Sequence, residues 1–120
     1  MKRILVIEDT EDNRQIVGDL LSSAGYELIE AVDGLEGVAT AEREQPDLIL
    51  MDIQLPGIDG YEATRRIRAI PALAKVPIIA VTSYALSGDE AKTREAGCDG
   101  YVAKPFSPRQ LLAKVREFLP

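Results

Sequence analysis

Histidine is absent from the sequence, and cysteine occurs once, as Cys98. A chain without histidine cannot form a Ser-His-Asp triad, bind zinc through imidazole or carry a phosphohistidine of its own. A single cysteine excludes a disulfide within the chain and is typical of proteins from a reducing compartment. Without histidine or a second cysteine, we expect any metal site in this chain to be built from oxygen ligands.

Long apolar runs and an excess of positive charge are also missing. No run approaches the roughly 20 residues needed to span a bilayer, and we expect no signal peptide before the first apolar run. The 20 acidic residues outnumber the 14 basic ones and give a net charge of −6, which argues against electrostatic binding to nucleic acid. We therefore expect a cytoplasmic protein that neither inserts into membranes nor binds nucleic acid. The length of 120 residues predicts one domain over residues 1–120.

Short apolar runs alternate along the chain with longer stretches of helical period. Three of the runs are unbroken stretches of four apolar residues, as expected for parallel strands that are covered on both faces. The second run is short and lies between Glu27 and Glu30, which places it at a sheet edge. Strand and helix alternate five times, so we predict an α/β fold: a five-stranded parallel sheet, doubly wound with helices on both faces. The runs are residues 4–7, 28–29, 48–51, 78–81 and 101–103.

The helices are marked by capping residues and by apolar stripes. Five pairs place a capping side chain three residues before an acid or amide, a spacing typical of helix starts. Gly25 and Gly97 stand where helices should end. The helix near residues 87–96 offers mainly alanines for burial, so we expect it to be the easiest helix to displace. The pairs are Asp12 with Gln15, Asp33 with Glu36, Asp59 with Glu62, Ser87 with Glu90 and Ser107 with Gln110, and the stripe of the first helix is Ile16, Val17, Leu20, Leu21 and Ala24.

Ionic or hydroxyl side chains follow four of the five apolar runs. In an open α/β sheet, ligands bind in the crevice beyond the carboxyl ends of the strands. We therefore expect these side chains to share one crevice. They are Glu8 and Asp9 after the first run, Asp52 after the third, Thr82 after the fourth, and Lys104 with Pro105 after the fifth.

Three carboxylates in one crevice would repel one another strongly. At an effective dielectric constant of about 20, two like charges ~4 Å apart cost about 4 kcal/mol. Lys104 and a divalent metal are the two candidates for the compensating positive charge. Because the available ligands are oxygens, we predict Mg²⁺, with Mn²⁺ able to substitute. Mg²⁺ binds through one or two carboxylates plus a phosphate oxygen, so a phosphoryl group is expected to complete the site.

Asp52 is the candidate phosphoryl acceptor, since a carboxylate can act as a nucleophile and form an aspartyl-phosphate. It follows a central strand, and the turn at residues 55–57 is expected to leave its tip exposed. Glu8 and Asp9 would hold the metal, while Lys104 and Thr82 would approach phosphoryl oxygens. Taken singly, each residue has an ordinary structural interpretation, such as helix capping, a turn or a solvated lysine. Four strand ends that carry a mutually consistent set favour the functional interpretation.

Four segments of the sequence resemble the receiver domain of two-component response regulators, and the resemblance runs from end to end. The segments are ILVIEDTEDNR, PDLILMDIQLPGIDGYE, VPIIAVTSYA and GYVAKPFSP. The chain is most similar to the stand-alone receivers of the DivK type, which carry no output domain. The resemblance implies the strand order 2-1-3-4-5 of the CheY-like fold. It also implies that the chain is a signalling switch and not an enzyme. Such a switch promotes only its own phosphorylation and slow dephosphorylation.

By this resemblance, Asp52 accepts a phosphoryl group from a phosphohistidine on a sensor histidine kinase or a histidine phosphotransfer protein. Phosphorylation then changes the face built from residues 84–118, which a downstream protein partner binds, and the chain is expected to be a monomer or a weak dimer. The resemblance also implies that Mg²⁺ binds to Asp9, Asp52 and the backbone carbonyl of Gln54, with Glu8 acting through a water. It implies that Thr82 and Lys104 contact the phosphate and that Tyr101 is a switch residue. Finally, it implies a cis peptide between Lys104 and Pro105, and tuning of the phosphate lifetime by Gln54 and Tyr84.

Three other functions remain open at this point. An aspartyl-phosphate phosphatase would carry a second Asp two residues after its nucleophile, where this chain has Gln54. An FMN protein would cradle phosphate in the loop after its first strand, where this chain has the acid-rich residues 8–12. An atypical receiver would act as an unphosphorylated scaffold.

Separately, Arg65, Arg66 and Arg68 are expected to form a solvated helix face.

Overall fold

The computed structural model describes residues 1–83 and 89–120. Predictions that concern Tyr84, or Ser87 as a helix cap, lie outside these residues. Within them, five strands alternate with five helices, and a single 3-10 turn (Pro71–Leu73) leads into the fourth strand. The strands are β1 (Arg3–Ile7), β2 (Glu27–Ala31), β3 (Leu48–Asp52), β4 (Ile78–Thr82) and β5 (Gly100–Ala103), and the helices are α1 (Glu11–Ser23), α2 (Gly34–Glu44), α3 (Gly60–Arg68), α4 (Asp89–Ala96) and α5 (Pro108–Phe118).

The five strands form one parallel sheet in the order β2-β1-β3-β4-β5, as predicted. The short, Glu-flanked run lies in the edge strand β2, also as predicted. The register brings the strand ends level with one another: Ile7 pairs with Met51, Asp52 pairs with Val81, and Thr82 pairs with Ala103. The carboxyl ends of β1, β3, β4 and β5 therefore lie at one edge of the sheet.

Apolar side chains cover both faces of the sheet, which explains the unbroken hydrophobic runs in β1, β3 and β4. Every residue of β3 and β4 is buried. On one face, α2 and α3 pack on the sheet through Val38, Ala41, Ala63 and Ile67. On the other face, α1 and α5 pack through Val17, Leu20, Leu21, Leu111 and Val115.

Three of the predicted helix caps are present. The side chains of Asp33 and Asp59 accept from the backbone N–H of the residue three positions on, and Ser107 forms a reciprocal capping box with Gln110. The prediction of Asp12 as the cap of α1 is wrong, because that helix begins at Glu11. Thr10 is extended there, and its carbonyl already accepts the N–H of Arg14, so the helical hydrogen bonds start two residues earlier than the spacing suggested.

Arg68 departs from the solvated arginine face predicted for α3. Arg65 and Arg66 are exposed and pair with Glu62. The Arg68 guanidinium instead turns toward the opposite edge of the sheet from the acidic residues. It donates to the carbonyls of Gly97 at 2.9 Å and Val76 at 2.6 Å and to the carboxylate of Asp99 at 2.6 Å. Arg68 thereby ties α3 to the chain before β4 and β5.

Gly97 ends α4 with a φ of 115°, a left-handed conformation that glycine adopts at little cost. Its neighbour Cys98 is buried, as expected of a small apolar side chain, and burial raises the pKa of its thiol. Of the helices in the described part of the chain, none combines the length and apolarity required to cross a bilayer.

Candidate functional site

Three acidic side chains meet at the carboxyl edge of the sheet. Glu8 and Asp9 follow β1, and Asp52 ends the adjacent strand β3. One carboxylate oxygen from each residue lies within 4.8 Å of the others. Glu8 and Asp52 are buried, whereas Asp9 is exposed. The sequence prediction that these carboxylates share one crevice is therefore confirmed as geometry.

Lys104 supplies a positive charge between the two buried carboxylates. Its Nζ lies 3.2 Å from Oε1 of Glu8 and 3.3 Å from Oδ2 of Asp52. The lysine side chain is 22% exposed, while those of Glu8 and Asp52 are 8% and 5% exposed. The loop after β5 thus closes over the acidic residues from the far side of β4.

Burial opposes the charge on the Lys104 ammonium, but the carboxylates of Asp52 and Glu8 outweigh it, so the pKa of Lys104 is raised above its ordinary value of 10.5. The lysine is therefore fully charged at neutral pH. It offsets part of the repulsion between two buried carboxylates, and the exposed carboxylate of Asp9 lies beside them.

Backbone N–H groups fix the orientation of the two buried carboxylates. Thr10 N–H donates to Oε2 of Glu8 at 3.1 Å, and Gln54 N–H donates to Oδ1 of Asp52 at 3.0 Å. Asp52 is buried, so the expectation of an exposed tip is wrong. Lys104 covers its carboxylate, and α3 begins against the backbone at residues 52–53; the turn at residues 55–57 follows without lifting Asp52 into solvent.

The other predicted site residues lie at or near the same edge. Thr82 is fully buried at the end of β4, and its carbonyl accepts the N–H of Lys104 at 2.7 Å. The peptide bond between Lys104 and Pro105 is cis. Tyr101 is half-buried in β5 and lines a small pocket of about 110 Å³ between α4 and α5. The structure thus places Thr82 and Lys104 beside the acidic residues. Tyr101 lies further from them, near the start of β5.

An apolar groove of about 380 Å³ adjoins the acidic cluster. Ile16 lines it and is 64% exposed, although the helical stripe predicted that this side chain is packed in the core. Pro105 and Phe106 form the opposite wall. The core contacts of α1 on this face come instead from Val17, Leu20 and Leu21.

Sequence reasoning missed Arg14. Its Nη1 donates to the carbonyl of Glu8 at 3.0 Å and to that of Asp9 at 3.4 Å. A signal was available: Arg14 stands in the first turns of α1, where the helix dipole disfavours a positive charge. A residue that breaks a local rule in this way indicates a second role for its side chain.

The acidic cluster fits a hard divalent cation. All three side chains offer oxygen, and their ligand atoms are close enough to share one ion. Mg²⁺ prefers such ligands and retains several waters, which suits a cluster with two buried members and one open to solvent. Glu8, Asp9 and Asp52 are the residues that would hold the ion.

The fold and the site define a class: a doubly wound α/β protein with an acidic cluster and a lysine at the carboxyl edge of its sheet. Residues 4–116 match the model of the response regulator receiver domain. The chain belongs to this family and is therefore a component of two-component signalling, as the sequence motifs indicated.

Relatives and solved structures agree with this assignment. The chain is 40% identical over 118 residues to the polar-differentiation response regulator DivK of Brucella anthropi, an alignment that covers 98% of this chain and 96% of the relative. The chemotaxis protein CheY4 of Vibrio cholerae superposes with a TM-score of 0.94 at 30% identity and 98% coverage of both chains. The receiver domain of a sensor histidine kinase from Pseudomonas aeruginosa, with a magnesium ion coordinated in its active site cleft, is 42% identical, with a TM-score of 0.92 and coverage of 98% of this chain and 97% of that one.

Proposed function

We propose that this receiver domain is a phosphorylation-dependent switch in which Asp52 accepts a phosphoryl group from a phosphohistidine donor. The donor is a sensor histidine kinase or a histidine phosphotransfer protein. The observation that carries the proposal is the meeting of Glu8, Asp9 and Asp52 within 4.8 Å, with Lys104 bridging the two buried members. This arrangement combines a nucleophile, a cation site and a positively charged side chain at one point.

In the proposed reaction, a carboxylate oxygen of Asp52 attacks phosphorus, the N–P bond of the donor breaks, and the donor imidazole leaves with the electron pair of that bond and takes up a proton. Gln54 N–H and Lys104 hold the carboxylate in one orientation before the attack. A bound Mg²⁺ would neutralise charge on the phosphoryl oxygens. Glu8, Asp9, Asp52 and the backbone carbonyl of Gln54 are the proposed ligands, with Glu8 acting through a water.

The phosphoryl group carries about −1.5 to −2 charges, which replace the single negative charge of the Asp52 carboxylate beside Lys104. We propose that Lys104 and Thr82 then turn to the phosphoryl oxygens and that Tyr101 follows. Lys104 gives up two carboxylate partners in doing so, and its backbone N–H stays bonded to Thr82, which links the two residues mechanically. The face built from residues 84–118 would change shape, and a downstream protein would bind it. Gln54 and Tyr84 remain the proposed positions that tune the phosphate lifetime.

The test is incubation of the purified chain with acetyl phosphate and Mg²⁺, followed by intact-mass spectrometry. We expect one phosphoryl adduct that hydroxylamine removes, because hydroxylamine cleaves acyl phosphates but not phosphate esters of serine or threonine. The adduct should vanish in Asp52→Asn and when Mg²⁺ is chelated. Asp12→Asn is the matched control, since Asp12 is an exposed acid of the neighbouring helix α1 and lies outside the acidic cluster.

The alternatives give different outcomes in the same experiment. Absence of an adduct in the wild type contradicts the switch and favours an unphosphorylated scaffold. Rapid multiple turnover of the phosphodonor, or of a phosphate ester, favours a phosphatase. An adduct that persists in Asp52→Asn contradicts the assignment of the acceptor.

A further inference from the structure

A basic side chain on α1 holds the loop that carries two of the three acidic residues. Arg14 donates from Nη1 to the carbonyls of Glu8 and Asp9. Its side chain is only 15% exposed, and its Nε lies 3.4 Å from Oε1 of Glu30 on the edge strand β2. Arg14 therefore ties the acidic loop both to the helix that follows it and to the strand beside it.

The position of Arg14 in its helix carries an energetic cost. A positive charge near the amino end of a helix opposes the helix dipole. The two carbonyl oxygens that Arg14 reaches have no place in the helical ladder of α1, and the guanidinium supplies donors to them. Arg14 thus occupies an electrostatically unfavourable position in α1, and from this position its side chain binds the loop that follows β1.

We propose that Arg14 is a positioning residue for the divalent cation. By fixing the carbonyls of Glu8 and Asp9, it sets the separation between their carboxylates and that of Asp52. This inference rests on the proposed role of the acidic cluster as the cation site. Groups that hold metal ligands in place without touching the metal commonly contribute about 10–100-fold to metal affinity.

Electrostatics and positioning predict opposite signs for the loss of Arg14. Removal of a positive charge close to a cation site strengthens cation binding by Coulomb attraction alone. Loss of the contacts between Arg14 and the loop instead allows the carboxylates of the acidic cluster to move apart. Their negative charges repel one another, and the guanidinium no longer holds the carbonyls of Glu8 and Asp9. The direction of the change in affinity therefore separates the two effects.

The experiment is a titration of the full chain with Mn²⁺, in which electron paramagnetic resonance counts the free ion. Binding to Asp52→Asn is subtracted as the contribution of other surface acids. We expect the dissociation constant to rise about tenfold or more in Arg14→Ala and by a smaller factor in Arg14→Lys, which keeps the charge but donates from a single nitrogen. Arg66→Ala is the matched control: it removes the same charge from an exposed ion pair on α3 and should leave the affinity unchanged.

A second readout needs no metal. Thr10 N–H donates to Oε2 of Glu8, so hydrogen exchange at this amide reports the order of the loop in the metal-free protein. We expect exchange at Thr10 to accelerate in Arg14→Ala and Arg14→Lys relative to Arg66→Ala. Exchange in the core strand β4 should not change.

Equal or tighter Mn²⁺ binding by Arg14→Ala overturns the inference. If Arg14→Ala does not fold, Arg14→Lys decides: a lower melting temperature with unchanged Mn²⁺ affinity assigns Arg14 a structural role only and also overturns it. If the wild type shows no Asp52-dependent Mn²⁺ binding, the proposed cation site itself is contradicted. If the wild type binds Mn²⁺ and Arg14→Ala binds it with the same affinity, only the proposed role of Arg14 is contradicted.

Discussion

Lys104 is the residue on which the resting charge balance of the site depends. Its ammonium touches the two buried carboxylates, and Asp9 adds a third negative charge next to them. Two carboxylates ~4 Å apart cost up to about 4 kcal/mol at an effective dielectric constant near 20, and one lysine offsets only part of this. The site is therefore under electrostatic strain that a bound divalent cation would relieve.

Asp52→Asn should stabilise the protein in the presence of a chelator. The substitution removes one buried negative charge, and the asparagine Oδ1 still accepts the N–H of Gln54. We expect the free energy of unfolding to rise by about 1 kcal/mol, which shifts the melting temperature by a few degrees in a domain of this size. Mg²⁺ should then raise the melting temperature of the wild type more than that of the variant. A lower melting temperature for the variant in chelator contradicts this account.

Lys104→Met should destabilise the metal-free protein at neutral pH. Loss of the ammonium leaves Glu8 and Asp52 buried without their positive partner, and we expect a cost of about 2 kcal/mol, less than for a fully buried pair because the lysine is partly exposed. The pKa of Lys104 is raised by folding, so its contribution is complete below 10.5 and is lost as the pH rises through the folded value. Denaturant unfolding of both proteins should therefore give a difference that is as large at pH 9 as at pH 7 and shrinks above 10.5. A difference that shrinks between pH 7 and 9 contradicts the assignment to Lys104.

The sequence predicted which side chains lie together better than it predicted their exposure. Glu8, Asp9, Asp52, Thr82 and Lys104 could be found because each follows an apolar run. The burial of Asp52 could not, since it depends on α3 and Lys104 closing around it. Ile16 was misassigned because a helical stripe shows which side chains share a face but not how much of that face the rest of the fold covers.

At the scale of elements, close backbone contact fixes where α3 starts relative to Asp52. A Cβ placed on Gly60 would lie 2.5 Å from the carbonyl oxygen of Asp52 and 2.6 Å from Cα of Ile53. Gly60 N–H also donates to the carbonyl of Ile53 at 2.9 Å. The helix can approach the strand end this closely only because the first residue of α3 has no side chain.

Gly60→Ala should destabilise the protein and weaken Mg²⁺ binding together, because the clash is with backbone atoms next to the acidic cluster. We expect a loss of about 1–3 kcal/mol in the free energy of unfolding. Gly18→Ala is the matched control, because Gly18 lies inside α1 and its added Cβ would meet only Cγ of Leu28, at 3.9 Å. That change should stabilise the protein by roughly 0.5–1 kcal/mol through helix propensity. Urea unfolding and calorimetric Mg²⁺ titration measure both effects, and a Gly60→Ala protein with wild-type Mg²⁺ affinity contradicts the proposed coupling.

The elements differed in how far their local sequence determined them. Caps at Asp33, Asp59 and Ser107 were predictable because one side chain and one N–H three residues later form the whole device. The start of α1 was not, since Thr10 makes no side-chain cap there and the helix begins from backbone geometry alone. Arg68 was misread for a similar reason: its partners at Gly97 and Asp99 come from a distant part of the chain.

At the scale of the whole molecule, the sheet order brings the site together. β1 and β3 are adjacent, so Glu8 and Asp9 lie beside Asp52, and β4 and β5 follow on the side of β3 from which Lys104 arrives. Periodicity and the alternation of elements predicted a parallel, doubly wound sheet but not this order, which came only from the resemblance to receiver domains. Strand order is set by packing between segments far apart in the chain, and local patterns carry no record of it.

The central claim is that the carboxylate of Asp52 becomes an acyl phosphate. The most direct measurement is borohydride reduction of the protein after treatment with acetyl phosphate and Mg²⁺, followed by proteolysis and peptide sequencing by mass spectrometry, because borohydride converts an aspartyl-phosphate to homoserine. The account predicts homoserine at position 52 alone, and none when Mg²⁺ is chelated. Homoserine at another aspartate, or at no position despite a phosphoryl adduct, would contradict it.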